Sequence, residues 1–153
     1  MLVFASPADI KAAIGRVVGP TDWFTVDQDR IAAFADATDD HQWIHLDAER
    51  ARATPFGGTI AHGFLTLALV PHFARALFAA ENVLAVLNYG LDRVRFPVPV
   101  PSGGRLRARG EIVRAEPAGA GALQVASRIS MELDGAEKPA CVAETVARWM
   151  FLS

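Results

Sequence analysis

The sequence contains a single cysteine, Cys141, among its 153 residues. One cysteine cannot form an internal disulfide bond, so we expect a protein of a reducing compartment, the cytoplasm. Because Cys141 lies in a segment with the pattern of a strand, we interpret it as a packed residue rather than a nucleophile. The N-terminus also lacks a basic leader followed by a long apolar region, and no feature of it predicts export.

Long apolar runs and an excess of one charge are missing as well. No apolar run reaches the roughly 18 residues that a membrane-spanning helix needs, since His62 and His72 interrupt the nearest candidate, residues 60–80. The formal charge is −2, without the basic excess typical of nucleic-acid-binding proteins. We therefore expect neither a membrane span nor a nucleic-acid partner.

What the sequence does contain is an apolar fraction of 52%, enough for one domain over residues 1–153. Residues 60–80 are apolar on nearly all sides of a helical wheel, which is typical of a helix at the centre of a soluble fold. We predict one long helix here, kinked at Pro71, whose ring removes a backbone donor. His62 and Gly63 lie at its start, where unpaired N–H groups can hold a developing anion.

Helices are predicted before this segment and strands after it. Capping residues indicate short helices at residues 6–14, 28–37 and 48–52. Alternation and turn signals indicate strands at residues 83–96, 105–116, 123–133 and 141–152. This order predicts an α+β fold in which a long central helix is packed in the curve of an antiparallel sheet. An edge strand of alternating polarity can pair with a second copy, so we expect a homodimer.

One polar segment, residues 38–47, is dense enough in functional groups to support chemistry. Asp40 and His45 are a carboxylate and an imidazole five residues apart, and they converge if the segment turns into a helix. Such a pair can hold a water, one group taking a proton while the other gives one. Two alternatives stay open: solvent-exposed loop and capping groups, or a metal site that also uses His41. The metal alternative lacks an established ligand spacing, and we predict no metal.

Three blocks of sequence agree with a known family in order and spacing. They read FADATDDHQWIHLD at 34–47, PFGGTIAHG at 55–63 and YGLDRVRFPVPVP at 89–101. Together they resemble the MaoC-like dehydratases, which include the (R)-specific enoyl-CoA hydratases, and most of all the branch named after nodulation protein N. The family usually has Asn-Pro between its Asp and His, where this sequence has Gln42-Trp43.

The resemblance implies a hot-dog fold, a long helix wrapped by a curved antiparallel sheet. It also implies that Asp40 and His45 are the catalytic pair and that Gly63 supplies the N–H that binds the thioester oxygen. The implied activity is that of an (R)-specific 2-enoyl-CoA hydratase or 3-hydroxyacyl-CoA dehydratase. No cofactor is implied beyond the coenzyme A of the substrate, and the acyl carrier could be coenzyme A or an acyl carrier protein.

Other residues are candidates for contact with such a substrate. Phe56, Ile60 and Leu65 are candidates for the acyl tunnel, with core packing as the alternative for each. His62 is a candidate at the helix start. An arginine cluster could meet the phosphates of coenzyme A, with a solvated strand face as the alternative: Arg93, Arg95, Arg105, Arg107 and Arg109.

Two other functions remain open on the same fold. Hot-dog proteins include thioesterases, which use a carboxylate such as Asp40 to help water attack the thioester carbonyl. A non-catalytic module that binds acyl thioesters is the second alternative. The pairing of Asp40 with His45 favours hydration over both, and fold alone does not decide between them.

Overall fold

The computed structural model describes residues 1–119 and 121–152. Its helices are α1 (Pro7–Ala12), α2 (Gln28–Thr38), α3 (Trp43–Leu46), α4 (Ala48–Arg52), α5 (Gly63–Ala68) and α6 (Val70–Leu77). Its strands are β1 (Leu2–Phe4), β2 (Val17–Val18), β3 (Phe24–Val26), β4 (Phe78–Ala80), β5 (Val83–Arg95), β6 (Gly104–Pro117), β7 (Ala122–Leu133) and β8 (Cys141–Phe151). This confirms the predicted α+β order, with most helices early and the long strands late.

The long strands form an antiparallel sheet against which α5 and α6 pack. The strand order is β6-β7-β8-β5, and the short strands β2 and β3 pair with the other side of β6. Leu65 of α5 and Phe73 of α6 share one buried cluster with Ile112 and Ile129 of the sheet. The arrangement matches the predicted hot-dog fold, with helices in the curve of an antiparallel sheet.

The single helix predicted for residues 60–80 is wrong in its bounds. Two shorter helices, α5 and α6, meet at Leu69, and Pro71 lies in the first turn of α6. A proline there breaks no intrahelical hydrogen bond, since the first N–H groups of a helix have no partner within it. Phe78–Ala80 form a strand that pairs in parallel with β1. This pairing of distant segments outweighs the local helical periodicity.

The end of α6 approaches β6 closely at Gly110. A Cβ atom on Gly110 would lie 2.8 Å from the Phe78 ring and 2.9 Å from a Leu77 methyl. Real Cβ contacts are essentially never that short. Glycine at this position therefore allows the end of the helix and β4 to sit against the sheet.

Cys141 begins β8 and is fully buried. Burial raises the pKa of its thiol to about 11. A thiol that stays protonated at neutral pH is a poor nucleophile, which agrees with the interpretation of Cys141 as a packed residue. The reducing compartment remains a prediction.

Strand β5 lies at the edge of the sheet and pairs only with β8 among the strands of the described residues. Its register shifts between Asn88 and Gly90, which marks a bulge in the strand. Five large apolar side chains on this strand are between 48% and 63% exposed: Leu84, Val86, Leu87, Tyr89 and Leu91. None of the helices in the described ranges combines the length and apolar character that a membrane crossing requires.

Candidate active site

The site begins where α2 ends. Asp39 takes the left-handed conformation, with φ of 56°, and the N–H of Asp40 donates to the carbonyl of Ala35 at 3.2 Å. Aspartate tolerates this conformation better than most residues. Helix α3 begins only a few residues later, at Trp43. The half-exposed carboxylate of Asp40 therefore lies near His45 of α3.

His45 of α3 points into the protein and is 6% exposed. Its Nδ1 lies 2.7 Å from the carbonyl oxygen of Ile60. Because a carbonyl only accepts, Nδ1 must carry the proton, and Nε2 keeps its lone pair for other partners. Burial lowers the pKa of His45 below its ordinary value of 6.5, and His62 adds to this, although the Ile60 bond and Asp40 oppose it. His45 is therefore a neutral imidazole at pH 7.

A second pair of residues ties α3 to the segment that carries Ile60. The side chain of Gln28 donates from Nε2 to the carbonyl of His45 at 2.8 Å, and Thr59 donates from Oγ1 to Gln28 Oε1 at 2.6 Å. The N–H of Ile60 donates to the carbonyl of Ile44 at 3.1 Å. Gln28 therefore braces both sides of the His45–Ile60 bond. Sequence reasoning missed Gln28 and Thr59, since neither belongs to a recognisable motif and they are 31 residues apart.

His62 contacts both predicted catalytic residues and is 2% exposed. Its Nε2–H donates to the backbone carbonyl of Asp40 at 2.9 Å. Its ring stacks on that of His45, with centroids 3.7 Å apart and planes inclined by 24°. Sequence analysis offered His62 as a substrate contact. In the structure, the buried ring of His62 contacts Asp40 and His45.

One carboxylate oxygen of Asp40 and one ring nitrogen each of His45 and His62 lie within 4.8 Å of one another. The distances alone would admit a metal ion. One nitrogen of each ring, however, is already bonded to a backbone carbonyl, Nδ1 of His45 to Ile60 and Nε2 of His62 to Asp40. His41, the third residue of the predicted metal alternative, bonds instead to Asp36 at 2.8 Å, and that bond raises the pKa of His41. The geometry fits proton transfer better than metal binding.

An apolar pocket of about 380 Å³ opens beside His45. Phe56 and Ile60, both predicted for the acyl tunnel, line it together with Gly63. Leu65 is buried in the core and is not among the lining residues, so its role here is packing. The other walls are mainly apolar: Ile44, Ala61, Phe96, Val98, Pro99 and Val100.

Gly63 is the first residue of α5, so its N–H has no acceptor within the helix. The ring of Phe96 covers it, and a Cβ atom on Gly63 would lie 3.2 Å from Phe96 Cδ2. A side chain at this position would crowd the Phe96 ring, so glycine permits the close approach of that ring to the start of α5. His45 and Gly63 contribute to the same cavity.

The arginine cluster divides into paired and unpaired members. Arg107 and Arg109 both bond to Glu132, at 2.6 and 2.9 Å, and Arg105 pairs with Asp134. These three brace the outer face of the sheet. Arg93 and Arg95 form no ion pair within the described residues, and they lie at the end of β5 just before Phe96.

Comparison with known proteins gives consistent matches over nearly the whole chain. The family model described as the MaoC like domain matches residues 9–131. The 3-hydroxyacyl-thioester dehydratase Z of Mycobacterium tuberculosis is 50% identical over 150 residues, covering 98% of this chain and 99% of that protein. Nodulation protein N of Rhizobium leguminosarum bv. viciae is 44% identical over 144 residues, covering 92% and 89%. The unliganded R-hydratase PhaJ1 of Pseudomonas aeruginosa superposes with a TM-score of 0.70 at 23% identity, covering 91% and 83%.

Proposed function

The chain belongs to the MaoC-like dehydratase family, and on this premise we propose that it hydrates trans-2-enoyl thioesters reversibly to (R)-3-hydroxyacyl thioesters. The observation that carries the proposal is the placement of Asp40 and His45. A carboxylate and a neutral imidazole lie within 4.8 Å, and the imidazole lines an apolar pocket together with Gly63, the first residue of α5. The relative named as a 3-hydroxyacyl-thioester dehydratase supports this reaction class.

The pair is spaced to hold one water. One carboxylate oxygen of Asp40 and one ring nitrogen of His45 lie within 4.8 Å of each other. A water with hydrogen bonds of about 2.8 Å to each atom can span this distance. Nε2 of His45 accepts from this water, since its Nδ1–H is engaged with Ile60. The carboxylate of Asp40 accepts the second hydrogen of the same water. The water oxygen is thereby oriented towards a substrate carbon in the pocket.

We assign the proton transfer to His45. As the water oxygen attacks C3, His45 Nε2 takes a proton and the electrons of the double bond move to the thioester oxygen. The resulting imidazolium, stabilised by the adjacent Asp40 carboxylate, then returns that proton to C2. The hydroxyl group and the hydrogen come from one water and enter on one face. Neither histidine nor aspartate changes its net protonation over the cycle, and no cofactor is needed.

Gly63 is the proposed donor to the thioester oxygen. Negative charge builds on that oxygen during attack, and a backbone N–H without an intrahelical partner can bind it. Removal of one such donor typically costs about 3 kcal/mol of transition-state stabilisation. Phe56 and Ile60 are the proposed contacts of the acyl chain, and Arg93 and Arg95 those of the phosphates of coenzyme A or of a carrier protein's pantetheine.

A second copy of the chain is the partner that we propose for β5. The strand is long, lies at the sheet edge and exposes a row of apolar side chains. Such an edge pairs readily with another strand. Leu87→Lys should lower the oligomeric state seen by light scattering, whereas Leu152→Lys, at an exposed residue outside β5, should not.

We also propose that the chain forms one domain, since Phe4 and Trp149 share a single core cluster.

The deciding experiment follows crotonyl-CoA and longer trans-2-enoyl-CoA substrates with the purified protein and a thiol reagent present. Loss of enoyl absorbance without release of thiol, abolished by His45→Gln, is the expected result. Released thiol would identify a thioesterase. Absence of both signals over a panel of chain lengths and of carrier-linked substrates would leave a binding module and overturn the proposal.

A further inference from the structure

His62 takes part in none of the proposed chemical steps, yet it contacts both residues that do. It is 2% exposed and is not among the residues that line the apolar pocket. A substrate in that pocket therefore meets His45 and Gly63, while Asp40, which does not line the pocket either, acts in the proposed reaction through the bridging water. The question is what a buried imidazole does at this point of the fold.

The edge of the His62 ring is attached to Asp40. Nε2 lies 2.9 Å from the Asp40 carbonyl and 4.0 Å from its carboxylate Oδ2. The carbonyl requires the proton to be on Nε2. This bond joins the start of α5 to the turn after α2, segments 22 residues apart in sequence. It holds the backbone from which the Asp40 carboxylate projects.

The face of the same ring lies on His45. The centroids are 3.7 Å apart and the planes are inclined by 24°, so the His45 ring cannot turn without displacing His62. Phe34 of α2 contacts His62 at a centroid distance of 5.1 Å and limits that displacement. Nδ1 of His62 has no hydrogen-bond partner within the described residues. The ring of His62 is therefore held by its Nε2 bond to Asp40 and by its contacts with the rings of His45 and Phe34.

From these contacts we propose that His62 is a positioning residue that holds Asp40 through its ring edge and His45 through its ring face, and so sets the gap in which the water binds. The proposal rests on the proposed hydration. Misplacement of a reacting group by about 1 Å can cost about 100-fold in rate. A residue that sets the gap should therefore act on kcat, while a residue that binds substrate should act on KM.

Two substitutions separate the two contacts. His62→Phe keeps a ring against His45 but removes the donor to Asp40, and His62→Gln keeps a donor near the position of Nε2 but removes the ring. We expect kcat to fall about 100-fold in His62→Phe, a smaller loss in His62→Gln, and little change of KM in either. His72→Phe is the matched control, because His72 also packs on an aromatic ring, that of Phe24, but lies outside the site. A wild-type kcat in both His62 variants, or a loss confined to KM, would overturn the proposal.

A second measurement does not depend on activity. Nitrogen-15 NMR of the histidine rings in the substrate-free wild-type protein, assigned through substitution of each of the four histidines, reports the tautomer of each ring. We expect His62 to carry its proton on Nε2 and His45 on Nδ1. A proton on Nδ1 of His62 cannot reach the Asp40 carbonyl and would overturn the positioning role. If the wild-type protein shows no hydration, the proposed function fails, and the tautomers still decide whether His62 donates to the Asp40 carbonyl.

Discussion

The Nδ1–H of His45 donates to the carbonyl oxygen of Ile60 over 2.7 Å. This one bond decides which nitrogen of the ring is available for chemistry, because the carbonyl can only accept. Gln28 and Thr59 support this bond, because their hydrogen bonds tie together the two segments that it joins. The predictions below follow from this arrangement and from the packing that supports it.

Hydration should persist at mildly acidic pH. Burial lowers the pKa of His45 below 6.5, and the proton acceptor must be neutral, so kcat/KM should decline only below pH 6.5. The titratable groups that face His45 are Asp40 and His62. The same shift makes the fold lose stability as the pH falls below 6.5, since His45 binds its proton more readily when unfolded. A pH–rate profile with its acid limb at or above 6.5 would contradict this assignment.

Substitution of either member of the pair should abolish most of the activity. Asp40→Asn and His45→Gln should each lower kcat by about 10²- to 10⁴-fold, the usual contribution of a positioned acid or base. Asp39→Asn is the matched control, because asparagine also accepts the left-handed conformation of that residue. Steady-state kinetics should show a nearly unchanged rate for Asp39→Asn. A loss equal to that of Asp40→Asn would mean that the other carboxylate does the chemistry.

Thr59→Val should destabilise the fold and slow the reaction together. Valine has nearly the same shape but leaves the half-buried Gln28 Oε1 without its donor, and the loss of one such hydrogen bond typically costs about 0.5–1.5 kcal/mol. Urea unfolding should show this loss, and kcat should fall because His45 is less firmly held. Thr25→Val, an exposed threonine on β3, is the control and should leave both quantities unchanged. Equal effects in the two variants would remove Gln28 and Thr59 from the support of the site.

Gly110→Ala should destabilise the fold without touching the site. The added Cβ would lie within 2.9 Å of Leu77 and Phe78, and overpacking of this kind typically costs about 1–3 kcal/mol. The midpoint of urea unfolding should fall, while the kcat of the folded fraction should not. Gly58→Ala, where a Cβ meets no atom within 4 Å, should be neutral. A stable Gly110→Ala variant would show that α6 and β4 can move off the sheet at little cost.

Local patterns predicted the elements that depend on local chemistry. Capping residues predicted short helices at residues 6–14, 28–37 and 48–52, and a side chain caps each of the three: Ser6, Asp27 and Asp47. Apolar alternation in residues 123–133 predicted β7 and its buried face. These signals succeed because a cap or a strand face is defined by neighbours in sequence.

The errors and omissions share a different cause. Phe78–Ala80 belong to a strand because β1, more than 70 residues earlier, pairs with them. Gln28 reaches His45 and Thr59, and His62 reaches Asp40, only once the chain is folded. Arg105 and Arg107, candidates for phosphate contact with a strand face as the alternative, pair with acids on or after the neighbouring strand. Contacts between distant segments leave no local pattern from which to predict them.

The most direct test is the stereochemical course of the reaction in D₂O. Hydration of crotonyl-CoA, followed by proton NMR of the 3-hydroxybutyryl product, reports on which face each atom of water is added. A single water held between Asp40 and His45 predicts that the one deuterium at C2 lies on the same face as the hydroxyl group, and the proposed function predicts the (R) configuration at C3. Addition of deuterium to the opposite face, or a C3 centre of mixed configuration, would contradict delivery of both atoms by this pair.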